Sequence, residues 1–169
     1  MLKKIVILVC IYVAVSVAWN SFKNANSRPV EPLHIDNPVF AEIRLAVESE
    51  GRSIDAVMLA KTVDAADCQR YSAILTKGVD AAPSGDGPMW KRVSAECKSS
   101  LTARNQRLFN NEPTFVSYLS ISPRDASERE VRMIYWGVTA EESDRLCNGA
   151  ASLEEMWRGP VKCVPAIKG

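Results

Sequence analysis

Histidine is almost absent from this chain of 169 residues, which contains only His34. That residue lies among prolines, where we do not expect it to be held rigidly beside a nucleophile. Histidine is the side chain that ordinarily titrates closest to neutral pH, so its scarcity argues against hydrolase triads and histidine-rich zinc sites. We therefore predict no catalytic residue, no metal site and a protein that is not an enzyme.

The sequence also lacks long runs of one charge. Lys and Arg together number 21 against 20 Asp and Glu, for a net charge of +1. Such a balance does not favour nucleic acids or anionic lipid as partners. The glycine-rich segment 84–87 has neither the lysine nor the hydroxyl residue of a phosphate-binding loop, so no nucleotide cofactor is expected.

The one long apolar run, Ile5–Trp19, follows a lysine pair at the amino terminus. This pattern is typical of an export signal. Ser16 and Ala18 fit the positions before a cleavage site, whereas Trp19 and Phe22 fit the outer interface of a retained helix. Residues 1–22 are therefore either a signal peptide or an N-terminal membrane anchor.

Either interpretation places the rest of the chain on the periplasmic side of the cell envelope. Residues 23–38 are polar and rich in proline, which predicts an extended lead-in. Residues 39–169 have the length of a single exported domain. That domain is expected to be soluble after cleavage or held in the inner membrane by residues 5–22, with no other membrane contact.

Four of the five cysteines lie beyond the leader, in an oxidising space where pairing is the rule. The chain has no C-x-x-C pair, so structural disulfides are favoured over redox chemistry. Each half of the chain supplies one cysteine in a predicted helix and one after a tryptophan. Of the three possible pairings, this arrangement favours Cys68–Cys97 and Cys147–Cys163.

Alternation of apolar and polar residues predicts a strand over Val39–Glu48. Ser53–Val63 is apolar on both faces and predicts a more central strand. Asp64 is expected to cap a helix that ends near Gly78.

Further along, Trp90, Val93, Cys97 and Leu101 recur at helical spacing, which predicts a long helix from Pro88 to about Phe109. The remaining predicted elements are strands over Thr114–Ser122 and Glu130–Val138, a helix opened by the capping box Thr139–Glu142, and a short helix over Ser152–Trp157.

These elements predict an α+β fold with a four-stranded antiparallel sheet and helices packed mainly on one face. The order of elements suggests two ββα-like halves stapled by disulfides. Laying Val63 on Val138 also brings Arg70 onto Arg145. Identity is otherwise poor, so the pattern fits either a duplication or two similar units formed by coincidence.

Function is predicted from aromatic residues rather than from reactive groups. Tyr135 and Trp136 alternate along one strand, so their rings lie on opposite faces and each face needs a cover. A helix, a partner or a ligand could provide it. With Trp157, these residues form a possible binding surface.

The favoured function is a non-catalytic accessory or inhibitor module that binds another envelope or secreted protein. An alternative is a hydrolase of glycan or peptidoglycan that uses paired carboxylates, and a third is a small-solute-binding module. The carboxylate pairs already have explanations as turn or helix-start residues. They are Glu48 and Glu50, Glu141 and Glu142, and Glu154 and Glu155.

Overall fold

A computed structural model describes residues 33–49, 52–80, 89–125, 127–154 and 159–167 of the chain. The leader, most of the lead-in and Trp157 lie outside these ranges. Within them, no helix is both long enough and apolar enough to cross a bilayer.

The fold is α+β and is built on one antiparallel sheet, as predicted. The sheet has six strands rather than the predicted four, in the order β3-β1-β2-β5-β4-β6. The strands are β1 (Val39–Ser49), β2 (Arg52–Thr62), β3 (Met89–Lys98), β4 (Tyr118–Ile121), β5 (Val131–Trp136) and β6 (Val161–Val164). The helices are α1 (Ala65–Asp80), α2 (Ala103–Phe109) and α3 (Ala140–Asn148), followed by a 3-10 turn at Ala150–Leu153.

The first hairpin and its helix follow the sequence prediction closely. β1 and β2 pair along their whole length, from Val39 opposite Thr62 to Ser49 opposite Arg52. The carboxylate of Asp64 accepts a hydrogen bond at 2.8 Å from the N–H of Asp67. Asp64 therefore satisfies one of the free donors at the start of α1, as an N-cap should.

The predicted long helix from Pro88 to Phe109 is wrong. Its first part is the strand β3, which pairs with β1, and only Ala103–Phe109 is helical. From Val93 to Lys98 the sequence also alternates between small or apolar and polar residues, so it fits a strand as well as a helix. Pairing with the edge of β1 decides in favour of the strand, because tertiary contacts override weak local preference.

Two shorter elements also differ from the prediction. The strand expected over Thr114–Ser122 shrinks to β4, because the chain runs as a loop up to Tyr118. The tail that contains Cys163 forms β6, which pairs with β4. A strand of four residues next to prolines is too short to give a period-two signal.

One face of the sheet carries most of the core and lies under α1, the 3-10 turn and the disulfide of α3. We call it the α1 face. Its side chains alternate along every inner strand, as expected for a sheet covered on that side. The buried sheet residues here are Ala41, Ile43, Leu45, Val47, Ala56, Met58, Ala60, Leu119, Ile121, Val131, Met133 and Val161.

The opposite face, the α2 face, is covered by the segment that joins the two halves of the chain. α2 contributes Leu108, which is fully buried, and Phe109, which packs against Phe40 with ring centroids 5.5 Å apart. Helices therefore cover both faces, although α1 and α3 share the α1 face. The prediction that they pack mainly on one face overlooked α2 because it merged that helix with β3.

The two halves of the sheet have the same topology. Each runs strand, strand, helix, strand, and each third strand lies beside the first, on the side away from the second. The halves meet where β2 pairs with β5. A pseudo-twofold axis perpendicular to the sheet therefore relates β1, β2, α1 and β3 to β4, β5, α3 and β6.

The register at the junction agrees with this symmetry. Aligning Val63 with Val138 also aligns Met58 with Met133, and these two methionines lie directly opposite each other in the sheet. The same alignment brings the N-cap Asp64 onto the N-cap Thr139. The weak repeat in the sequence thus corresponds to a repeated ββαβ unit, one strand longer than the predicted ββα unit.

Candidate functional site

Both disulfides join a helix to the third strand of its own half. Cys68 of α1 pairs with Cys97 of β3 (Cα–Cα 6.0 Å), and Cys147 of α3 pairs with Cys163 of β6 (Cα–Cα 5.1 Å). These are the predicted pairs. Disulfides of this kind are compatible with a protein that works outside the cytoplasm.

The two disulfides are nearly but not fully equivalent. Following the register through the sheet, Cys163 corresponds to Ala95, two residues before Cys97. In the helices, Cys147 lies one turn later than the position that matches Cys68. Both displacements move the second disulfide towards its helix–strand connection. With the shorter segment between α3 and β6, they reduce the closed loop from 29 residues to 16.

A buried ion pair connects the first half to the second. Asp67 of α1 accepts hydrogen bonds from Arg129, just before β5, at 2.7 Å and from Arg70 at 2.6 Å. It also accepts one from the N–H of Val63 at 3.1 Å. Burial raises the pKa of Asp67, but the bonds from Arg70, Arg129 and Val63 outweigh it and hold the pKa below its ordinary value.

A second ion pair makes the reverse connection. Glu142 of α3 accepts a hydrogen bond from Arg52, the first residue of β2. Glu142 also completes a capping box, because it accepts a bond from the N–H of Thr139 and donates its own N–H to the Thr139 hydroxyl. In both α1 and α3, the third residue of the helix therefore holds an arginine that lies near the start of the other half's second strand.

The structure places the predicted aromatic surface partly inside the fold. Tyr135 packs against the core of the α1 face, and burial raises the pKa of its hydroxyl to about 12. Trp136 is half-buried on the α2 face, where the Arg104 guanidinium lies 3.9 Å from its ring centroid. Trp157 lies outside the described residues.

Two of the six paired carboxylates have structural partners in the described part of the chain. Glu142 is occupied by Arg52 and the capping box, and Glu154 accepts a bond from the N–H of Val161 at 3.4 Å. Glu50 and Glu155 lie outside the described residues. His34 is exposed and lies 3.2 Å from Asp36. Among the described residues, no three His, Cys, Asp or Glu side chains are grouped to hold a metal ion.

The most exposed large apolar side chain in the described part of the chain is Phe115, with 84% of its surface accessible. Ile167, in the segment that runs beside the Phe115 loop, is 51% exposed. Ile167 donates its N–H to the carbonyl oxygen of Thr114 at 2.8 Å. We call Phe115 and Ile167 the end patch, because they lie at the end of the sheet where β4 starts and β6 ends.

The backbone under the end patch is held from both sides. Thr114 is buried, and its hydroxyl donates to the carbonyl of Val116 at 2.7 Å. Ala166 donates its N–H to the hydroxyl of Ser117 at 3.0 Å, which extends the β4–β6 pairing beyond the ladder. Phe115 therefore projects from a fixed loop, so little ordering cost would oppose its binding.

Trp136 lies at the same end of the sheet as the end patch. Tyr118 of β4 is opposite Ile134 of β5, so continuing the register brings Val116 opposite Trp136. Both Val116 and Trp136 pack against the same cluster on the α2 face. Sequence reasoning missed Phe115 because it was assigned to a strand, although the turn sequence Asn110–Pro113 directly before it indicated a loop.

No known family model matches this chain, and no curated protein sequence or solved structure shows significant similarity to it.

Proposed function

We propose that this chain is a non-catalytic protein-binding module of the cell envelope, acting as an accessory subunit or an inhibitor of another exported protein. The observation that carries the proposal is Phe115, a phenylalanine that is 84% exposed on a loop with a fixed backbone. Large aromatic side chains that fill a pocket of the partner commonly provide most of the binding energy of an interface.

The surroundings of Phe115 support the same function. Ile167 adds an exposed apolar side chain beside it, and apolar side chains grouped on a surface commonly mark interaction sites. Trp136, with Arg104 above its ring, lies at the same end of the sheet. Aromatic and arginine side chains are enriched in protein interfaces. The partner is expected to offer an apolar pocket for Phe115 within a polar rim.

The test is site-specific photocrosslinking in the cells that make the protein. p-Benzoylphenylalanine is placed at position 115 of the full chain and, as a matched control, at position 74. Ile74 is also an exposed apolar residue, 54% accessible, but it lies on α1. We expect position 115 to form one discrete adduct with another envelope protein, and position 74 to form none.

Competition with unlabelled protein then distinguishes a specific binding site from non-specific hydrophobic contact. Excess unlabelled protein should suppress the adduct, whereas protein carrying Phe115→Ser should not, and protein carrying Ile74→Ser should compete like the unaltered chain. Equal labelling from positions 115 and 74, or equal competition by both variants, would contradict the proposal.

A further inference from the structure

The two outer strands of the sheet occupy equivalent positions but differ in how their outer edges are closed. β6 has four residues, begins directly after Pro160 and ends directly before Pro165. Ser122 donates its N–H to the carbonyl of Pro160, so the N–H of Val161 faces away from β4. The carboxylate of Glu154 accepts that N–H at 3.4 Å. A short strand with prolines and a capped donor is a protected edge.

β3 is closed less at its outer edge, although it too begins directly after a proline, Pro88, and its pairing with β1 has an irregularity at Arg44 and Leu45. β3 is ten residues long, contains no proline and, within the described ranges, pairs only with β1. Several of its residues are exposed, including Val93 with 63% of its surface accessible. A long strand of this kind offers a row of backbone donors and acceptors that can pair with another chain.

The hydrogen-bond pattern shows which backbone groups of β3 face outward. Lys61 of β2 donates its N–H to Glu130 at 3.1 Å, so the odd residues of β2 bond towards β5 and the even ones towards β1. By the same alternation, the even residues of β1 bond towards β3. Glu42 of β1 is opposite Glu96, so Glu96 bonds inward, and the N–H groups of its neighbours Ala95 and Cys97 face outward.

The charges of β3 indicate what kind of strand could pair there. Lys91, Arg92 and Lys98 are basic and Glu96 is the one acidic residue of the strand. Lys98 already lies 2.9 Å from the carboxylate of Glu42 and 3.5 Å from that of Glu96, so Lys91 is the basic residue that we assign to a partner strand. Because basic residues outnumber the acidic one, two copies of β3 side by side would repel each other on balance, which disfavours self-association through this edge. The same positive balance favours an acidic strand.

We propose that β3 is a docking edge that receives one extended, acidic segment of a partner protein as an additional strand. Backbone bonds to residues such as Ala95 and Cys97 would provide binding, and Lys91 together with the net positive charge of the strand would select for acidic side chains. This site goes beyond the end patch and does not depend on it, because β1, β2 and β5 separate β3 from β4.

The proposal can be tested with synthetic peptides and amide hydrogen exchange of the protein purified from the cell envelope. The probe is a capped ten-residue peptide that alternates valine and glutamate, and its control alternates valine and lysine. With the acidic peptide, the amides of Ala95 and Cys97 should exchange at least about tenfold more slowly. The amide of Cys163 on β6 should be unchanged, and the lysine peptide should protect neither edge.

Two variants make the test specific. Lys91→Glu should weaken binding of the acidic peptide by about threefold or more, whereas Lys162→Glu on the exposed surface of β6 should leave it unchanged. Ala95→Pro removes an outward N–H and should abolish protection of Cys97. Absence of slowed exchange at Ala95 and Cys97, or equal protection by both peptides, would overturn the proposal whether or not the crosslink at Phe115 forms.

Discussion

The first half of the sheet is large and rests on apolar packing, whereas the second half is small and relies more on specific links. β1, β2 and β3 have 11, 11 and 10 residues, and α1 has 16. β4, β5 and β6 have 4, 6 and 4, and α3 has 9. α1 buries Cys68, Tyr71 and Leu75, while α3, which is described throughout, buries no residue.

The same ββαβ topology is thus held by different means in the two halves. A long amphipathic helix secures itself by burying side chains, since about 25 cal/mol is gained per Å² of apolar surface removed from water. A nine-residue helix with no buried side chain has little of this stabilisation, and isolated helices of that length are unstable in water. The stability of α3 therefore depends more on three specific links, which are the capping box, the bond to Arg52 and the Cys147–Cys163 disulfide.

Removing each disulfide in turn should have the largest effect. Replacing Cys68 and Cys97 by alanine opens a 29-residue loop and should cost about 3.5 kcal/mol, by the chain-entropy relation. Replacing Cys147 and Cys163 opens a 16-residue loop and should cost about 3 kcal/mol. Urea denaturation of the two double variants measures both.

The local consequences should differ more than these totals. Without its disulfide, α3 should lose most of its amide protection, because no buried side chain holds it to the sheet. α1 should keep its protection, because Tyr71 and Leu75 remain packed. Equal loss of protection in α1 and α3 would refute the contrast between apolar packing and specific links.

The next largest difference is expected between the contributions of the two ion pairs to the free energy of unfolding. The side chains of Asp67 and Arg129 are 6% and 10% exposed, whereas those of Glu142 and Arg52 are 23% and 45% exposed. Asp67→Asn removes the negative charge of a nearly buried ion pair and should cost about 3 kcal/mol. Glu142→Gln keeps a residue able to complete the capping box and should cost less than about 1 kcal/mol.

Unfolding free energies of the two isosteric variants check this prediction. The double variant tests independence, and its cost should be close to the sum of the single costs because the two pairs share no residue. A cost for Glu142→Gln as large as that for Asp67→Asn would show that exposure does not govern these links.

Acid should reveal the same buried pair. The folded pKa of Asp67 lies below its ordinary value of 3.8, so its contribution is complete above that value and is lost as the pH falls through the folded pKa. The unaltered protein should therefore lose stability more steeply below about pH 4 than the Asp67→Asn variant. Urea midpoints from pH 7 to pH 2 measure both slopes, and parallel curves would contradict the assignment.

The smallest effect is expected where the joining segment touches the second half. Arg104→Gln removes the guanidinium from above the Trp136 ring and should cost about 0.5 kcal/mol. Lys61 takes the place of Trp136 in the first half of the repeat, so that half has no such contact to lose. Thermal unfolding of Arg104→Gln, of Trp136→Leu and of the double variant isolates the contact in a double-mutant cycle. A loss near 2 kcal/mol would assign Arg104 a larger structural role.

Local signals in the sequence predicted those parts of the fold that depend on local chemistry. The alternation in Val39–Glu48, the N-cap Asp64 and the capping box at Thr139 all gave elements that the structure contains. A strand with one buried face requires alternating side chains, and the free N–H groups at the start of a helix require a capping acceptor. Both requirements act between residues that are close in sequence.

The outer strands could not be predicted in the same way. β3 is exposed along much of its length, so burial imposes little pattern on its side chains, and β6 is only four residues long. Both strands form because β1 and β4 present edges to them, which is information from distant parts of the chain. The disulfide pairs were predictable because each half repeats one cysteine per helix and one beyond it.

The candidate site was predicted less well than the fold. Tyr135 and Trp136 were identified from their alternation, but sequence cannot show that a core cluster covers one and Arg104 the other. Phe115 was missed because exposure depends on how β4 ends and how the tail returns beside it.

The order of the cysteines along the chain has a consequence for biogenesis. Each disulfide joins two consecutive cysteines of the four beyond the leader, so neither disulfide encloses nor crosses the other. A chain that emerges amino terminus first can complete β1, β2, α1 and β3 and seal Cys68 to Cys97 before Cys147 appears. The first oxidation then has only one available partner, and the finished half presents the edge of β2 as a template on which the later strands assemble.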